Sequence, residues 1–271
     1  MSNRTPLRIG IAGLGAIGRS VALRLDRGIP GCRLAAVAGR NPARTADFIA
    51  TLSKPVVSVG VADLAEHCDI VVECAPSNLL MSIIEPVLEA GKKVIVLSVG
   101  ALLEHMDRLE ELSSRGGQIL VPTGALLGLD AVTAAAEGEI RSIRMISRKP
   151  PLGFVGAPLV VEKNIDLMSL REPLKLYEGT ARDAAKGFPA NLNVAIALSL
   201  AGIGPDKTYL EVWADPGVQK NTHRIEVDSD SASFSMTIEN IPSENPKTGL
   251  ITAQSVAAML RKMSAPVRVG T

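Results

Sequence analysis

The chain has little of what marks several protein classes. Its three cysteines, Cys32, Cys68 and Cys74, are odd in number and lack C-x-x-C spacing. They supply neither a disulfide framework nor a zinc site, and read as small core residues of a reducing compartment. No metal is expected. Among 271 residues there are one Trp, two Tyr and four Phe, which leaves the core to Ala, Val, Leu and Ile. Charge of one sign is missing too, since 29 Lys and Arg against 28 Asp and Glu leave a net charge of +1. With no basic patch interleaved with aromatics, nucleic acid is not an expected partner. No run approaches the ~18 apolar residues of a membrane span. The first residues lack the apolar core of a signal peptide, so no membrane partner and a cytoplasmic location are expected. With 46% hydrophobic and 21% charged residues, general disorder is excluded.

What is present begins at residues 7–18, Leu-Arg-Ile-Gly-Ile-Ala-Gly-Leu-Gly-Ala-Ile-Gly. An apolar run too short for a helix ends in Gly13, Gly15 and Gly18, and helical spacing follows at Ile17, Val21 and Leu25. This is the order strand, glycine turn, helix. Gly13 would permit the turn, Gly15 would leave room for a pyrophosphate, and Gly18 would let the helix approach the strand. Ala16 and Ile17 open the helix whose free N–H groups would meet the phosphates, so all five count as cofactor-binding candidates.

Strands expected at 33–38, 56–59, 69–75, 93–97 and 118–121 alternate with helices at 41–52, 79–90 and 102–114. That alternation specifies a Rossmann-type doubly wound parallel sheet in an α/β chain. The strand ends at Ala75, at Ser98 to Gly100, and at Gly124-Ala125 would open on one edge, where ligands bind. Ala75, Ser98, Gly100 and Ala125 therefore join the cofactor candidates. Past Ala136 the pattern changes to a second α+β domain with a mostly antiparallel sheet. Strands are expected there at 140–148, 209–214 and 224–238, and helices at 181–186 and 193–201. An amphipathic helix at 250–263 is expected to return to the first domain. The expected division is 1–123 with 246–271 as the dinucleotide-binding domain, and 124–245 as the catalytic and oligomerisation domain.

The second strand ends Ala38-Gly39-Arg40-Asn41 with no carboxylate for a ribose 2′-OH. Arg40 offers a bidentate partner for a 2′-phosphate, so the cofactor is NAD or NADP, with NADP accepted. Hydride transfer from a carbon bearing N–H or O–H needs a group to take the proton, and histidine suits that task. The chain holds only His67, His105 and His223. The first two sit beside charged residues on short helices and read as surface. His223 follows a loop entering a strand of the second domain. Asn191 and Asn193, after Phe188-Pro189, open a helix where an Asn is a natural N-cap or could orient a nicotinamide carboxamide.

Several longer strings are more specific. Ser98-Val99-Gly100-Ala101-Leu102, Pro122-Thr123-Gly124-Ala125-Leu126-Leu127-Gly128-Leu129-Asp130, Arg148-Lys149-Pro150-Pro151, Gly179-Thr180-Ala181-Arg182-Asp183, Phe188-Pro189-Ala190-Asn191-Leu192-Asn193 and Asn221-Thr222-His223 follow the glycine turn in order. Together the chain resembles the L-aspartate dehydrogenase family over nearly its whole length. The resemblance implies NAD(P)-dependent oxidation of L-aspartate to iminoaspartate, with a small dicarboxylic amino acid as substrate. It carries the family's proton-transfer histidine onto His223 and a cofactor contact onto Ala125. A second cofactor contact falls on Asn191 first and Asn193 behind it. Gly39-Arg40 departs from an NAD-preferring member, which would carry an acid there. Arg148 and Lys149 are the candidate cations for the substrate carboxylates, with solvated strand-end charges as their other reading. A homodimer is expected, favoured by an exposed apolar sheet in the second domain. The rival readings are a dihydrodipicolinate reductase, a homoserine dehydrogenase or a non-catalytic nucleotide sensor. The first two need substrate-domain strings that are not found, and a sensor has no need of His223.

Overall fold

Residues 7–12, 32–38, 70–73 and 93–96 are rich in Val, Ile and Ala with no regular polar alternation, as suits strands covered on both faces. The computed structural model describes residues 5–189, 192–241 and 249–270. Six strands form its first sheet: β1 (Leu7–Ala12), β2 (Cys32–Ala38), β3 (Val57–Ser58), β4 (Ile70–Glu73), β5 (Lys93–Val96) and β6 (Gln118–Leu120). All are paired in parallel, in the order β3-β2-β1-β4-β5-β6. Helices Ala16–Gly28, Pro42–Ala50, Leu80–Glu89 and Met106–Ser113 make crossovers. This is the doubly wound sheet that the alternation predicted, and its strand order reverses direction between β1 and β4.

Local chemistry sets the helix ends. Asn41 caps Pro42–Ala50 by accepting from the backbone N–H of Arg44 at 3.1 Å, with Pro42 in the first turn. The helix expected at 102–114 is instead two pieces, Val99–Leu102 and Met106–Ser113. The chain turns at Leu103 and His105, whose backbone N–H groups bond back to Gly100 and Leu102. Helix Ile251–Ser264 lays Ala253, Val256, Ala257 and Leu260 among Ile9, Val21, Leu25 and Leu34. Val256 and Leu260 are fully buried, each contributing roughly 1.5–3 kcal/mol by removal from water. Chain contacts group the described residues through Gly124 with Thr252–Val269 as one unit, and those from Ala125 to Ile251 as another.

The second unit holds β7 (Ile140–Lys149), β8 (Leu174–Thr180), β9 (Thr208–Ala214), β10 (Asn221–Ser229) and β11 (Ser233–Asn240). Their order is β11-β10-β7-β9-β8, antiparallel except for β7 with β9. One face packs Ile143, Met145, Leu210, Val212, Ile225 and Val227 against Val132, Ala195 and Leu198. Two elements differ from expectation. The stretch 224–238 belongs to two strands, because the Ser229 hydroxyl closes a turn with the Ala232 backbone. Strand β8 was not expected, since this edge strand reads Leu-Lys-Leu-Tyr-Glu-Gly-Thr and buries only Leu176.

Candidate functional site

The glycine turn of the first unit has the shape that a dinucleotide requires. Gly13 adopts φ +99°, and a Cβ there would lie 2.6 Å from the Cys74 carbonyl. At Gly18 a Cβ would stand 1.9 Å from the Gly13 carbonyl, so helix and strand approach only because no side chain intervenes. A Cβ on Gly15 would meet nothing within 4 Å. Gly15 is also the N-cap of helix Ala16–Gly28 and brings no side-chain acceptor to its free N–H groups. An open, positively polarised helix end beside a bare backbone fits a pyrophosphate. Ala16 and Ile17 form the first turn of that helix. Arg40 is exposed just past the end of β2, next to the capped start of Pro42–Ala50, which also carries exposed Arg44.

At the other half of the same sheet, the turns after β4 and β5 are tied together by Glu73, fully buried at the end of β4. Its Oε1 accepts from the Ala75 N–H at 3.1 Å and the Ser98 hydroxyl at 3.0 Å. Its Oε2 accepts from the N–H groups of Leu97 at 3.0 Å and Ser98 at 2.9 Å. Two expected residues, Ala75 and Ser98, are thus held by an acid not singled out from the sequence. The available signal was a lone carboxylate closing the apolar strand Ile-Val-Val-Glu. Gly100 follows in the short helix Val99–Leu102. Burial raises the Glu73 carboxyl above its ordinary range, while these four donors work in the opposite direction.

In the second unit His223 is the third residue of β10, paired with Ser147 of β7 and Ile238 of β11. It is 2% exposed, and its Nδ1 lies 3.1 Å from the Ser147 hydroxyl. Because strand side chains alternate, Ser147 and Lys149 share the inner face of β7 with Ile143 and Met145. Lys149 is 3% exposed, and its ammonium sits 5.7 Å from the centre of the Phe154 ring. Burial first, and the Lys149 charge second, push the His223 imidazole down to about 3. The ring is therefore neutral near pH 7. Ser147 was not among the expected residues.

The same alternation turns Arg148 onto the opposite face. There it pairs with Asp215 at 3.2 Å and lies 4.6 Å from the centre of the Trp213 ring. Arg148 and Lys149, expected together as substrate cations, are thus on opposite sides of the sheet, and only Lys149 shares a face with His223. Asn193 stands in the first turn of helix Asn193–Ala201 and does not cap it, since Leu192 holds the cap position. Asn191 lies outside the described residues. In the second unit the Ala125 carbonyl accepts from the side-chain amide of Asn240 at 2.8 Å. In the first unit the Gly124 N–H donates to the Ser255 hydroxyl at 3.1 Å. His67 is exposed and His105 half-buried at a helix start.

Residues 130–263 match the family model described as aspartate dehydrogenase, C-terminal, and residues 13–122 the one described as homoserine dehydrogenase, NAD binding domain. The chain is 69% identical over 272 residues to L-aspartate dehydrogenase 3 of Bordetella bronchiseptica, covering 100% of both chains. It is 59% identical to the L-aspartate dehydrogenase of Bradyrhizobium diazoefficiens, covering 98% of this chain and 94% of that one. Among solved structures, the aspartate dehydrogenase from Thermotoga maritima superposes with a TM-score of 0.72 at 22% identity, over 97% of this chain and 99% of that chain. At that identity the likeness concerns the fold.

Proposed function

The chain belongs to the L-aspartate dehydrogenase family, and from that membership we propose the roles of its residues in the reaction. It is an NAD(P)-dependent enzyme acting on the CH–NH2 group, oxidising L-aspartate to iminoaspartate. The bound nicotinamide supplies the hydride acceptor. Gly13, Gly15, Ala16, Ile17 and Gly18 hold the pyrophosphate. Ala75, Ser98, Gly100 and Ala125, with Asn191 or Asn193, hold the nicotinamide half. Arg40 accepts the 2′-phosphate of NADP, supported by its exposure beside a helix N-terminus and by the absence of a carboxylate at the end of β2.

His223 takes the proton that the α-amino group must lose before hydride leaves. The observation that carries this reading is the buried trio His223, Ser147 and Lys149 on one sheet face. As a base, the neutral ring donates from Nδ1 to the Ser147 hydroxyl and keeps Nε2 bare. Lys149 receives a substrate carboxylate. That negative charge offsets one of the two causes that depress His223, so the ring gains basicity when substrate is bound. Arg148 is left out of this set, because Asp215 and Trp213 already engage it on the far face.

The expected homodimer is assigned to that far face, which is charged where an apolar sheet was expected. It carries Arg144 and Arg224 with Glu211, Glu226 and Asp228, around Tyr209 and Trp213. A second copy turned by a two-fold axis would meet the same mixed charges. Cytoplasmic residence is supported by the free thiols of Cys32, Cys68 and Cys74. No described helix is long and apolar enough to cross a membrane.

The reaction is tested by following reduced nicotinamide absorbance with L-aspartate, D-aspartate, L-glutamate and L-homoserine, each with NAD and NADP. Reduction with L-aspartate alone is expected. Faster reduction with L-homoserine would contradict the assignment.

A further inference from the structure

Among the described residues of the first unit, Glu73 is the only buried carboxylate. Taking such a group out of water costs several kcal/mol unless it is well bonded. Four donors meet it, two per oxygen, and three of them are backbone N–H groups. A carboxylate is the side chain that can accept at four positions, so it fits this nest where a Gln, with one oxygen and an NH2 group, does not. Among the described residues no Lys or Arg forms an ion pair with Glu73. Its charge is therefore solvated by dipoles and not cancelled by a neighbouring cation.

The location gives that charge a use. Glu73 ends β4, the first strand beyond the point where the sheet order reverses, and bonds the turns after β4 and β5. In a dinucleotide fold the Gly13–Gly18 side holds the adenylate half, and the β4–β6 side holds the nicotinamide half. The nicotinamide ring carries a positive charge when oxidised and none when reduced. We propose that Glu73 makes this site discriminate between the two redox forms of its cofactor, by holding a fixed negative charge under the turns that receive the nicotinamide. The oxidised form is bound more tightly than it would be without that charge, and the reduced form is not. In the direction of aspartate oxidation this favours loading of the acceptor and release of the reduced product.

The inference rests on the dinucleotide reading above, and the test separates the two. Binding of NAD and NADH, without substrate, is measured by titration calorimetry on the full chain and on Glu73→Gln, Glu73→Ser and Ser98→Ala. Glu73→Ser leaves room for water at the four donors and stands in if Glu73→Gln does not fold. Both neutral variants are expected to raise the Kd for NAD about 10-fold more than the Kd for NADH, the scale of one charge acting through an effective dielectric of about 20. Ser98→Ala removes a neutral donor, keeps the charge, and should move both constants by similar factors. If neutralising Glu73 weakens both forms equally, it is only a clasp for the turns and the proposal fails. Unchanged constants overturn it as well. A wild-type chain that binds neither form would instead refute the dinucleotide reading.

Discussion

Ser147→Ala isolates the part of the site that no charge explains. The His223 ring is 2% exposed, so water cannot replace the hydroxyl 3.1 Å from Nδ1. In the base form of the ring, the substitution strands a buried N–H donor, at a cost of about 1–3 kcal/mol. The ring escapes part of that cost by moving its proton to Nε2, the position that must be bare to accept from the substrate. Each 1.4 kcal/mol of tautomer preference removes about nine-tenths of the competent form. A fall in kcat on the order of 10-fold is therefore expected, with about 5- to 160-fold as the span set by that cost. Initial rates of nicotinamide reduction with saturating L-aspartate measure it. The Kd for NAD should not move, and Ser147→Thr, which restores a hydroxyl, should recover most of the rate. A folded Ser147→Ala enzyme with kcat within about two-fold of the parent, against the 10-fold expected from the stranded donor, would refute the tautomer assignment.

Other outcomes follow from the same geometry. His223 is near 3 in the folded chain and about 6.5 when unfolded. The unfolded chain therefore takes up a proton that the folded chain refuses, so stability is full above pH ~6.5 and is lost as pH falls toward 3. Between pH 7.5 and 5, urea unfolding should cost the parent about 2 kcal/mol more than it costs His223→Asn; parallel losses would contradict the burial of a neutral ring. Lys149→Met should raise the KM for L-aspartate on the order of 10-fold or more, from the loss of a charge-assisted bond, whereas Arg148→Ala should leave KM near the parent value. The reverse ranking would place the substrate cation on the other face of the sheet. Arg40→Ala should weaken NADP about 10-fold and leave NAD nearly unchanged, read as the ratio of their Kd values.

The first sheet was legible because its strands are apolar on both faces and its glycines punctuate in a fixed order. Gly13 and Gly18 then occupy the positions where a side chain would strike backbone. The second unit was harder. Strand β8 carries charges and lies at an edge, so it presents no period of two with a clear apolar side. The buried trio combines Ser147 with His223, 76 positions away, and pairing across that distance leaves no local signal. One feature of the second unit is readable from the sequence. The row Ile143, Met145, Ser147, Lys149 already separates Lys149 from Arg148 by parity. Glu73 is similar, since an acid ending an apolar strand must find donors, though nothing in the sequence says which.

If one neutral, buried imidazole performs the proton transfer, its removal in His223→Ala is decisive. Turnover with L-aspartate should fall on the order of 10²-fold or more, while calorimetric binding of NAD stays close to that of the parent. A folded variant that binds NAD normally and keeps most of its turnover would take His223 out of the reaction.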